Sequence, residues 1–348
     1  MNVQTNILLS TLTTMKIGGN ANYVIEVTNR DELRQAYLNA QKLNLPVYII
    51  GGGSNLIARD EGFPGVIVLN RVPGITIVSD DYDSMTLTGG GGEKWDDFVK
   101  FSVEHSLSGI EALSGIPGTV GAAPVQNIGA YGQELADNFV SLEAYDSQTD
   151  QFVTLGWDQC NFSYRHSIFR GSAAGRYAIY QVTVKLHKKQ PEPPFYESLQ
   201  HRLDEQGITG YTPQVIRDNV LAIRTDKLPD PTLLPNAGSF FKNAVVEHWQ
   251  SDPIKQEHPD AKTYDVDGGK VKIPAGWLIE AANLKGEELH GMKVHDKNAV
   301  VLINQSANSY ADLADAREEI IDAVRNKFQI TLEQEPLELQ PPTPDTTA

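Results

Sequence analysis

The chain has 348 residues, enough for more than one core, and 40% hydrophobic content with 29 glycines marks a globular protein, not a fibrous or disordered one. Its 29 Lys and Arg residues against 45 Asp and Glu give a formal net charge of −16, a field that repels nucleic-acid backbones and anionic membrane surfaces. Neither is expected as a partner, and an anionic small ligand would need a local cluster of Lys, Arg or backbone N–H groups.

The one cysteine, Cys160, has no partner for an internal disulfide, which fits a reducing compartment; it reads as a small buried hydrophobe. The opening "MNVQTNILLSTLTTMKIGG" lacks a basic start followed by an apolar run, and no stretch of roughly 18 apolar residues occurs. The expectation is a soluble, cytoplasmic protein.

In chain order, "NYVIEV" (22–27) reads as a strand and "DELRQAYLNAQKLN" (31–44) as a helix with Leu33, Tyr37 and Ala40 on one face. "PVYII" (46–50) reads as a buried strand that runs into "GGGSN". Short strands are expected at 65–70, 75–79 and 85–92, followed by a helix with Trp95, Phe98, Val99, Ser102 and Val103 at helical spacing. A hairpin is expected at 139–155, turning at Ser147 to Asp150, and a strand at 177–187 with Ala178, Tyr180, Val182, Val184 and Leu186 on one face. "KKQPEPPFYESL" reads as a mobile loop or a boundary, and "TPQVIRDNVLAIRTDKLPDP" as a helix stopped by prolines. Residues 311–330 read as an amphipathic helix on Leu313, Ile320, Val324 and Phe328, and the final "QPPTPDTTA" as a disordered tail.

Three glycine clusters raise the question of phosphate binding. Neither "GGGSNL" nor "GGGGEK" completes G-x-G-x-x-G, and no glycine-lysine pair is followed by Ser or Thr, so ordinary Rossmann and P-loop sites are excluded. "IIGGGSN" is either a plain tight turn or a backbone cradle for a pyrophosphate. "SGIPGTVGAAPVQNIGAYG" (114–132) is almost free of charge and too rich in glycine for a helix. It is either a tightly packed buried loop or a wall against a large flat ligand, with Gln126 and Asn127 as hydrogen-bonding groups. No H-E-x-x-H occurs, His290 and His295 do not make a convincing ligand pair, and there is no G-x-S-x-G elbow, so no metal and no serine-hydrolase nucleophile are expected.

"TTMKIGG" (13–19), "GGGSNLI" (51–57), "SGIPGTVGAAPVQNIGAYG", "YRHSIF" (164–169), "TDKLPDP" (225–231), "NAGSFFKN" (236–243), "AGWLIE" (275–280) and "AVVLIN" (299–304) occur in an order and spacing that resemble the UDP-N-acetylenolpyruvoylglucosamine reductase family. The resemblance runs from about Thr13 to Glu335. It implies an α+β fold: a two-lobed FAD-binding domain of the p-cresol methylhydroxylase type and a smaller α/β substrate-binding domain. The expected partition is 1–70 for the first lobe, 71–227 for the second with 331–340 returning to it, 228–330 for the substrate domain, and 341–348 for the tail. The implied activity is NADPH-dependent reduction, through FAD, of an enolpyruvyl ether on a UDP-sugar in peptidoglycan precursor synthesis, by a monomer whose partners are that substrate and NADPH. Two other readings stand beside it: an oxidase of the same flavin fold, and a non-catalytic nucleotide-sugar binder.

The resemblance places FAD along Gly51, Gly52, Gly53, Ser54 and Asn55, and along Ser114, Gly115, Ile116, Pro117, Gly118, Gly121, Gln126, Asn127, Gly129, Ala130 and Tyr131. It makes Arg165 the stabiliser of an enolate, Ser239 the proton donor, and Glu335 a protonated acid on the substrate carboxylate, with Glu333 as the alternative because Pro336 interrupts the usual strand pattern. It assigns Tyr164, Lys227, Asn243 and Asn298 to substrate or phosphate binding, and makes Tyr196, in the longer family form's extra loop, a cover over the substrate nucleotide.

Overall fold

The computed structural model describes residues 2–266 and 268–340; the tail expected at 341–348 lies outside them. The first segment holds β1 (Val3–Leu8), β2 (Asn20–Val27), α1 (Arg30–Lys42), β3 (Val47–Ile50), β4 (Leu56–Ala58) and β5 (Phe63–Asn70). α1 starts where the Asn29 side chain accepts from the Glu32 N–H while Glu32 reaches back to Thr28, a cap that fixes the helix start two residues after β2. The strand order β1-β2-β5-β3 places β5 in the gap between the parallel strands β2 and β3 that α1 connects.

β6 (Ile75–Asp80), β7 (Ser84–Gly90), α2 (Trp95–Glu104), β8 (Gly129–Ala130), β9 (Gln133–Glu134), β10 (Phe139–Asp146), β11 (Gln151–Gly156), α3 (Trp157–Cys160) and β12 (Tyr177–His187) follow. Five of these strands form an antiparallel sheet in the order β11-β10-β12-β7-β6. One face packs on Trp95, Phe98, Val99 and Val103 of α2, and Cys160 is buried in the same cluster. The other face meets α1, where Tyr37 and Tyr145 lie 5.2 Å apart between ring centroids.

β12 departs from the expected alternation. The register against β10 shifts between Glu143 and Ala144, whose partners are Gln181 and Ile179, so Tyr180 is skipped. This bulge reverses the faces: Ala178 and Tyr180 pack toward α1, whereas Ile179, Val182, Val184 and Leu186 pack toward α2. A second departure lies in the proline-rich loop, which ends at Tyr196 in the helix α4 (Glu197–Glu205). Leu199 and Leu203 pack there on Ile216, Val220 and Ile223 of α5 (Pro213–Lys227).

The remaining elements are β13 (Asn236–Ser239), β14 (Ala244–Glu247), α6 (His248–Glu257), β15 (Tyr264–Val266), β16 (Lys270–Ile273), α7 (Ala275–Ala281), β17 (Glu288–Leu289), β18 (Met292–Val294), β19 (Val301–Asn304), α8 (Tyr310–Phe328) and β20 (Leu337–Leu339). Two small sheets, β13-β19-β18-β17 and β14-β16-β15, share a core with α7 and α8 that holds Phe240, Phe241, Leu278 and Ile320. The C-terminal return was expected on the second lobe, but its ladder partners lie elsewhere. β20 pairs in parallel with β4 of the first segment, and Phe241 bridges to Gln334. The residues before β20 thus run between the first segment and the last.

Glu338 pins this crossing. It accepts from Arg59 Nη2 at 2.6 Å, from Tyr310 Oη at 2.7 Å and from Arg317 Nη1 at 2.8 Å, tying β4 and α8 to one carboxylate. Burial alone would raise its pKa, but the Tyr310 hydroxyl and the Arg59 guanidinium outweigh that and bring it down to about 2. A carboxyl depressed in the folded state contributes stability that is present above its unfolded pKa and is lost as pH falls through the folded one. Urea unfolding between pH 5 and pH 2 should therefore show a shallower pH dependence for Glu338→Gln than for the parent chain, with the variant less stable at pH 7.

Candidate functional site

Two adjoining cavities, of about 240 and 310 Å³, run between the three parts of the chain. Both are lined by Tyr48, Ile49, Gly51, Thr119, Ala122, Val125 and Leu337, so they form one elongated groove. The first also takes in Gly52, Gly53, Ser54, Asn55, Ile116, Pro117, Gly118, Gln126 and Gly129, together with Arg165, Ser239 and Glu335. The second is bounded by Asn70, Gly121, Phe169, Arg170, Tyr177 and Ile179.

The glycines are what make the groove. A Cβ on Gly51 would lie 2.3 Å from Thr119 Oγ1, and a Cβ on Gly52 would lie 3.0 Å from the Cα of Gly118. The two glycine turns therefore touch, and any side chain there would push them apart or fill the space between.

Ser239 reaches the groove by a bulge. The pairing of β13 with β19 shifts register between Asn236 and Ser239, and Gly238 takes a φ of 72°. Asn236 braces the turn: its side chain accepts from the Gly238 N–H at 2.8 Å and donates to the Leu234 carbonyl at 2.7 Å. The Ser239 hydroxyl makes no hydrogen bond to another described residue. Phe240 and Phe241, 0% and 2% exposed, anchor the next two positions in the core.

Opposite Ser239 runs the C-terminal crossing. The Glu335 N–H donates to the Phe240 carbonyl at 2.9 Å and the Lys242 N–H to the Glu333 carbonyl at 2.9 Å, an antiparallel contact that brings Glu335 into the same cavity as Ser239. The next N–H used is that of Leu337, which donates to Asn55 O, so Pro336 falls at the switch of partners, where no N–H is called for. Glu335 is 7% exposed, and burial raises its pKa against the pull of Arg165, Arg170 and Lys242. Glu333 instead points outward, three-quarters exposed and paired with Lys242 at 3.1 Å.

Arg165 sits at the tip of a tight turn closed by the Ser163 and His166 backbones, with a φ of 52°. Its Nη2 donates to the Gly129 carbonyl at 2.9 Å, and its Nε lies 3.0 Å from Glu335 Oε1. That Nε is buried, lies close to the Glu335 carboxyl and has no aligned hydrogen bond, so a donor direction is left over.

Other expected residues stand apart from the groove walls. Asn127 is fully buried and turned into the protein: its amide donates to Glu134 Oε2 at 2.6 Å and its oxygen accepts from Ala136 N–H at 3.0 Å. Ser114 is likewise fully buried, donating to the Glu111 carbonyl at 2.6 Å, and the Gly115 N–H donates to Asp96 at 2.6 Å. These three hold the loop's shape and line neither cavity, as do Ala130 and Tyr131. Tyr131 packs edge-on against Tyr196 at 6.0 Å, and the neighbouring Glu197 meets Lys262 at 2.5 Å, so the loop end touches the last part of the chain.

Tyr164 lies under the Arg165 guanidinium and the Lys272 ammonium, 5.4 and 5.5 Å from its ring. Asn243 caps α7 by accepting from the Ala275 N–H at 3.1 Å, and a Cβ on Gly276 would lie 3.6 Å from Asn298 Oδ1. Lys227 is exposed at the end of α5, which the Asp226–Lys297 ion pair at 3.0 Å holds near Asn298.

Three polar wall residues carry no signal in the sequence. Thr119 is 7% exposed, and its buried Oγ1 has no hydrogen-bond partner. Arg170 and Arg224 line the groove, and burial weakens their hold on a proton, although a guanidinium stays charged. A turn threonine and two loop or helix arginines look ordinary until the fold places them together.

Residues 21–156 match the family described as FAD binding domain, and residues 230–338 match the family described as UDP-N-acetylenolpyruvoylglucosamine reductase, C-terminal domain. The chain is 40% identical over 327 residues to the UDP-N-acetylenolpyruvoylglucosamine reductase of Burkholderia cenocepacia, covering 93% of each chain, and 39% identical over the same length to that of Burkholderia ambifaria. The fold is similar to the crystal structure of the UDP-N-acetylenolpyruvylglucosamine reductase from Thermus caldophilus, with a TM-score of 0.65, 23% identity, and coverage of 98% of this chain and 100% of that one.

Thr119 and Asn127 should behave oppositely when truncated. Thr119→Val removes a hydroxyl that no protein group satisfies, so the ligand-free protein should be unchanged or more stable by about 1 kcal/mol. Asn127→Ala leaves buried partners unpaired and should cost about 2 kcal/mol or more, read from denaturant unfolding of both variants.

Proposed function

The chain belongs to the UDP-N-acetylenolpyruvoylglucosamine reductase family, and on that premise we propose that it reduces the enolpyruvyl ether of a UDP-N-acetylglucosamine to UDP-N-acetylmuramate in peptidoglycan synthesis, with FAD as cofactor and NADPH as reductant. The observation that carries the reading is that Ser239, Arg165 and Glu335 line one cavity with two glycine turns. A cytoplasmic location and a monomeric state belong to the same proposal, as does the assignment of the p-cresol methylhydroxylase type to the FAD-binding part. No helix among the described residues is long and apolar enough to cross a membrane.

The groove suits FAD. The contact of Gly52 with Gly118 leaves backbone, not side chains, facing a pyrophosphate, and the unpartnered Thr119 hydroxyl supplies a donor there. Gly51 to Asn55 and Ile116 to Gly118 would hold it, and when bound it supplies a hydride, taken from NADPH, to the β carbon of the double bond.

The chain's own residues handle the charge and the proton. As hydride reaches the β carbon, electron density moves to the α carbon and into the neighbouring carboxylate, giving an enolate of the substrate. Arg165 presents a fixed positive fork to that carboxylate, a type of interaction whose loss costs roughly 10²- to 10³-fold in rate. Glu335, whose pKa burial raises, would in its protonated form donate a hydrogen bond to the same group and add no negative charge beside it. Ser239 gives its hydroxyl proton to the α carbon; the alkoxide left behind shares its cavity with Arg165 and recovers a proton from water. NADPH and one proton are consumed, and the C=C bond becomes a C–C single bond as two C–H bonds form. Lys227, Asn243, Asn298 and Tyr164 would bind the diphosphate portion, with Tyr196 covering the nucleotide.

Purified protein should be yellow and should oxidise NADPH only with substrate present; a colourless preparation that cannot be reconstituted with FAD rules the reading out. In anaerobic stopped flow, Ser239→Ala should accept hydride from NADPH at a near-normal rate but slow flavin reoxidation by substrate roughly 10²- to 10⁴-fold. Normal reoxidation would remove Ser239 from the proton-transfer step. Reoxidation should also fall as pH rises through the raised pKa of Glu335, since the protonated form is the working one, and Glu335→Gln should flatten that limb. An unchanged pH profile in Glu335→Gln would contradict the assignment.

A further inference from the structure

Gln126 lies in the groove with its oxygen committed. Gln126 Oε1 accepts from Asn55 Nδ2 at 2.6 Å and from Arg170 Nη1 at 3.1 Å. A guanidinium carries donors and no acceptor, so the Gln126 atom facing Arg170 must be the oxygen and the amide cannot be turned over. Asn55 adds to this by presenting its own NH₂ to the same oxygen. The Gln126 NH₂ group donates to no described residue, and both Gln126 and Asn55 line the first cavity, with Arg165, Ser239 and Glu335. Arg170 itself has no carboxylate within ion-pair distance among the described residues, so its direct polar partner is the amide oxygen.

We propose that Arg170 is a positioning residue that fixes the polarity of the Gln126 amide, so that a pair of N–H donors, and never a carbonyl, is offered to an oxygen that carries or gains negative charge during turnover. This rests on the flavin reductase reading. Two oxygens meet the description: a ring carbonyl of the flavin, which becomes more basic on reduction, and the carboxylate of the enolpyruvyl substrate. Arg170 acts through the amide; a hydrogen bond to a charged acceptor, presented by a neutral amide already polarised by a cation, is the chemistry it secures.

The test uses FAD-loaded enzyme and two readouts that do not depend on turnover: the two-electron midpoint potential of the bound flavin, and the dissociation constant of the enolpyruvyl substrate from oxidised enzyme, followed by perturbation of flavin absorption. Arg170→Gln, which lets the amide turn over, and Gln126→Met, which removes the donor without changing charge, should both weaken the same one of these quantities about tenfold. For the potential, a tenfold change in a two-electron couple is a fall of about 30 mV. Arg170→Lys keeps a cationic donor and should stay within about threefold of the parent. A shift in potential alone assigns the donor to the flavin, and a shift in substrate affinity alone assigns it to the carboxylate. The inference is overturned if Gln126→Met leaves both readouts within twofold, if the Arg170→Gln and Gln126→Met changes fall on different readouts, or if Arg170→Lys loses as much as Arg170→Gln. Should Arg170→Gln fail to hold flavin, Gln126→Met decides alone. A parent protein without flavin or NADPH oxidation would instead sink the functional reading itself.

Discussion

The backbone contact between residues 240–242 and 333–335 is the constraint on which the chemistry depends. Two N–H···O bonds, from Glu335 to Phe240 and from Lys242 to Glu333, bring together segments about 90 residues apart and set a carboxyl opposite a hydroxyl. Closing so long a loop costs only slightly more than closing one half its length. What holds it shut is burial: Phe240 and Phe241 on one side, Leu332 and Ile330 on the other, all in one core cluster. The same crossing then pairs with β4, so the position of Glu335 is referred at once to the glycine turn beyond Asn55 and to the bulge that presents Ser239.

The groove is made by absence of side chains where backbone must come close, and it is kept open by groups that bond among themselves. Asn127, Ser114 and the Gly115 N–H spend their hydrogen bonds inside the protein, freezing the long loop in a shape that its composition alone would leave loose. The rigidity of that loop comes from buried amides and hydroxyls, and the polar groups left over are few: Thr119 Oγ1, the Gln126 NH₂ and the Arg165 Nε.

Locally encoded features were legible in the sequence. The helix face of Trp95, Phe98, Val99, Ser102 and Val103 is the buried face of α2, and the hairpin turn at Ser147 to Asp150 joins β10 to β11, because side-chain period and turn residues act within a few positions. The β12 bulge was not legible, since it arises from the register against β10 and no local residue marks it. Nor was the return to β4: a three-residue strand, Leu337–Leu339, carries too little pattern to name its partner. At the site, the glycine turns and the Ser239 and Arg165 motifs stand out as strings. Asn127 and Gln126 are adjacent and chemically alike, yet one faces the core and the other the groove, because Asn127 adopts a φ of 46° that turns its side chain inward. Adjacent amides of opposite fate cannot be separated without the backbone.

The net charge of −16 sharpens the meaning of the arginines in the groove. Elsewhere buried or half-buried arginines are neutralised directly: Arg217 takes both oxygens of Asp96 at 2.6 and 2.7 Å, and Arg176 does the same with Asp146. Arg170 and Arg224 have carbonyl or amide oxygens instead, Gln126 Oε1 for one and Gly115 O for the other. In a chain with carboxylates in excess, leaving two desolvated guanidinium groups without a directly paired one is not a shortage of partners. It carries a cost in the ligand-free protein, because burial opposes both charges while the carboxylates nearest them, Glu335 for Arg170 and Asp96 for Arg224, act only at longer range. That cost is offset when an anion arrives, and since the anion binds only the folded chain, its binding free energy adds to folding stability. The groove therefore couples the arrangement of its walls to a negatively charged occupant, against a molecular surface that would repel the same ligand anywhere else.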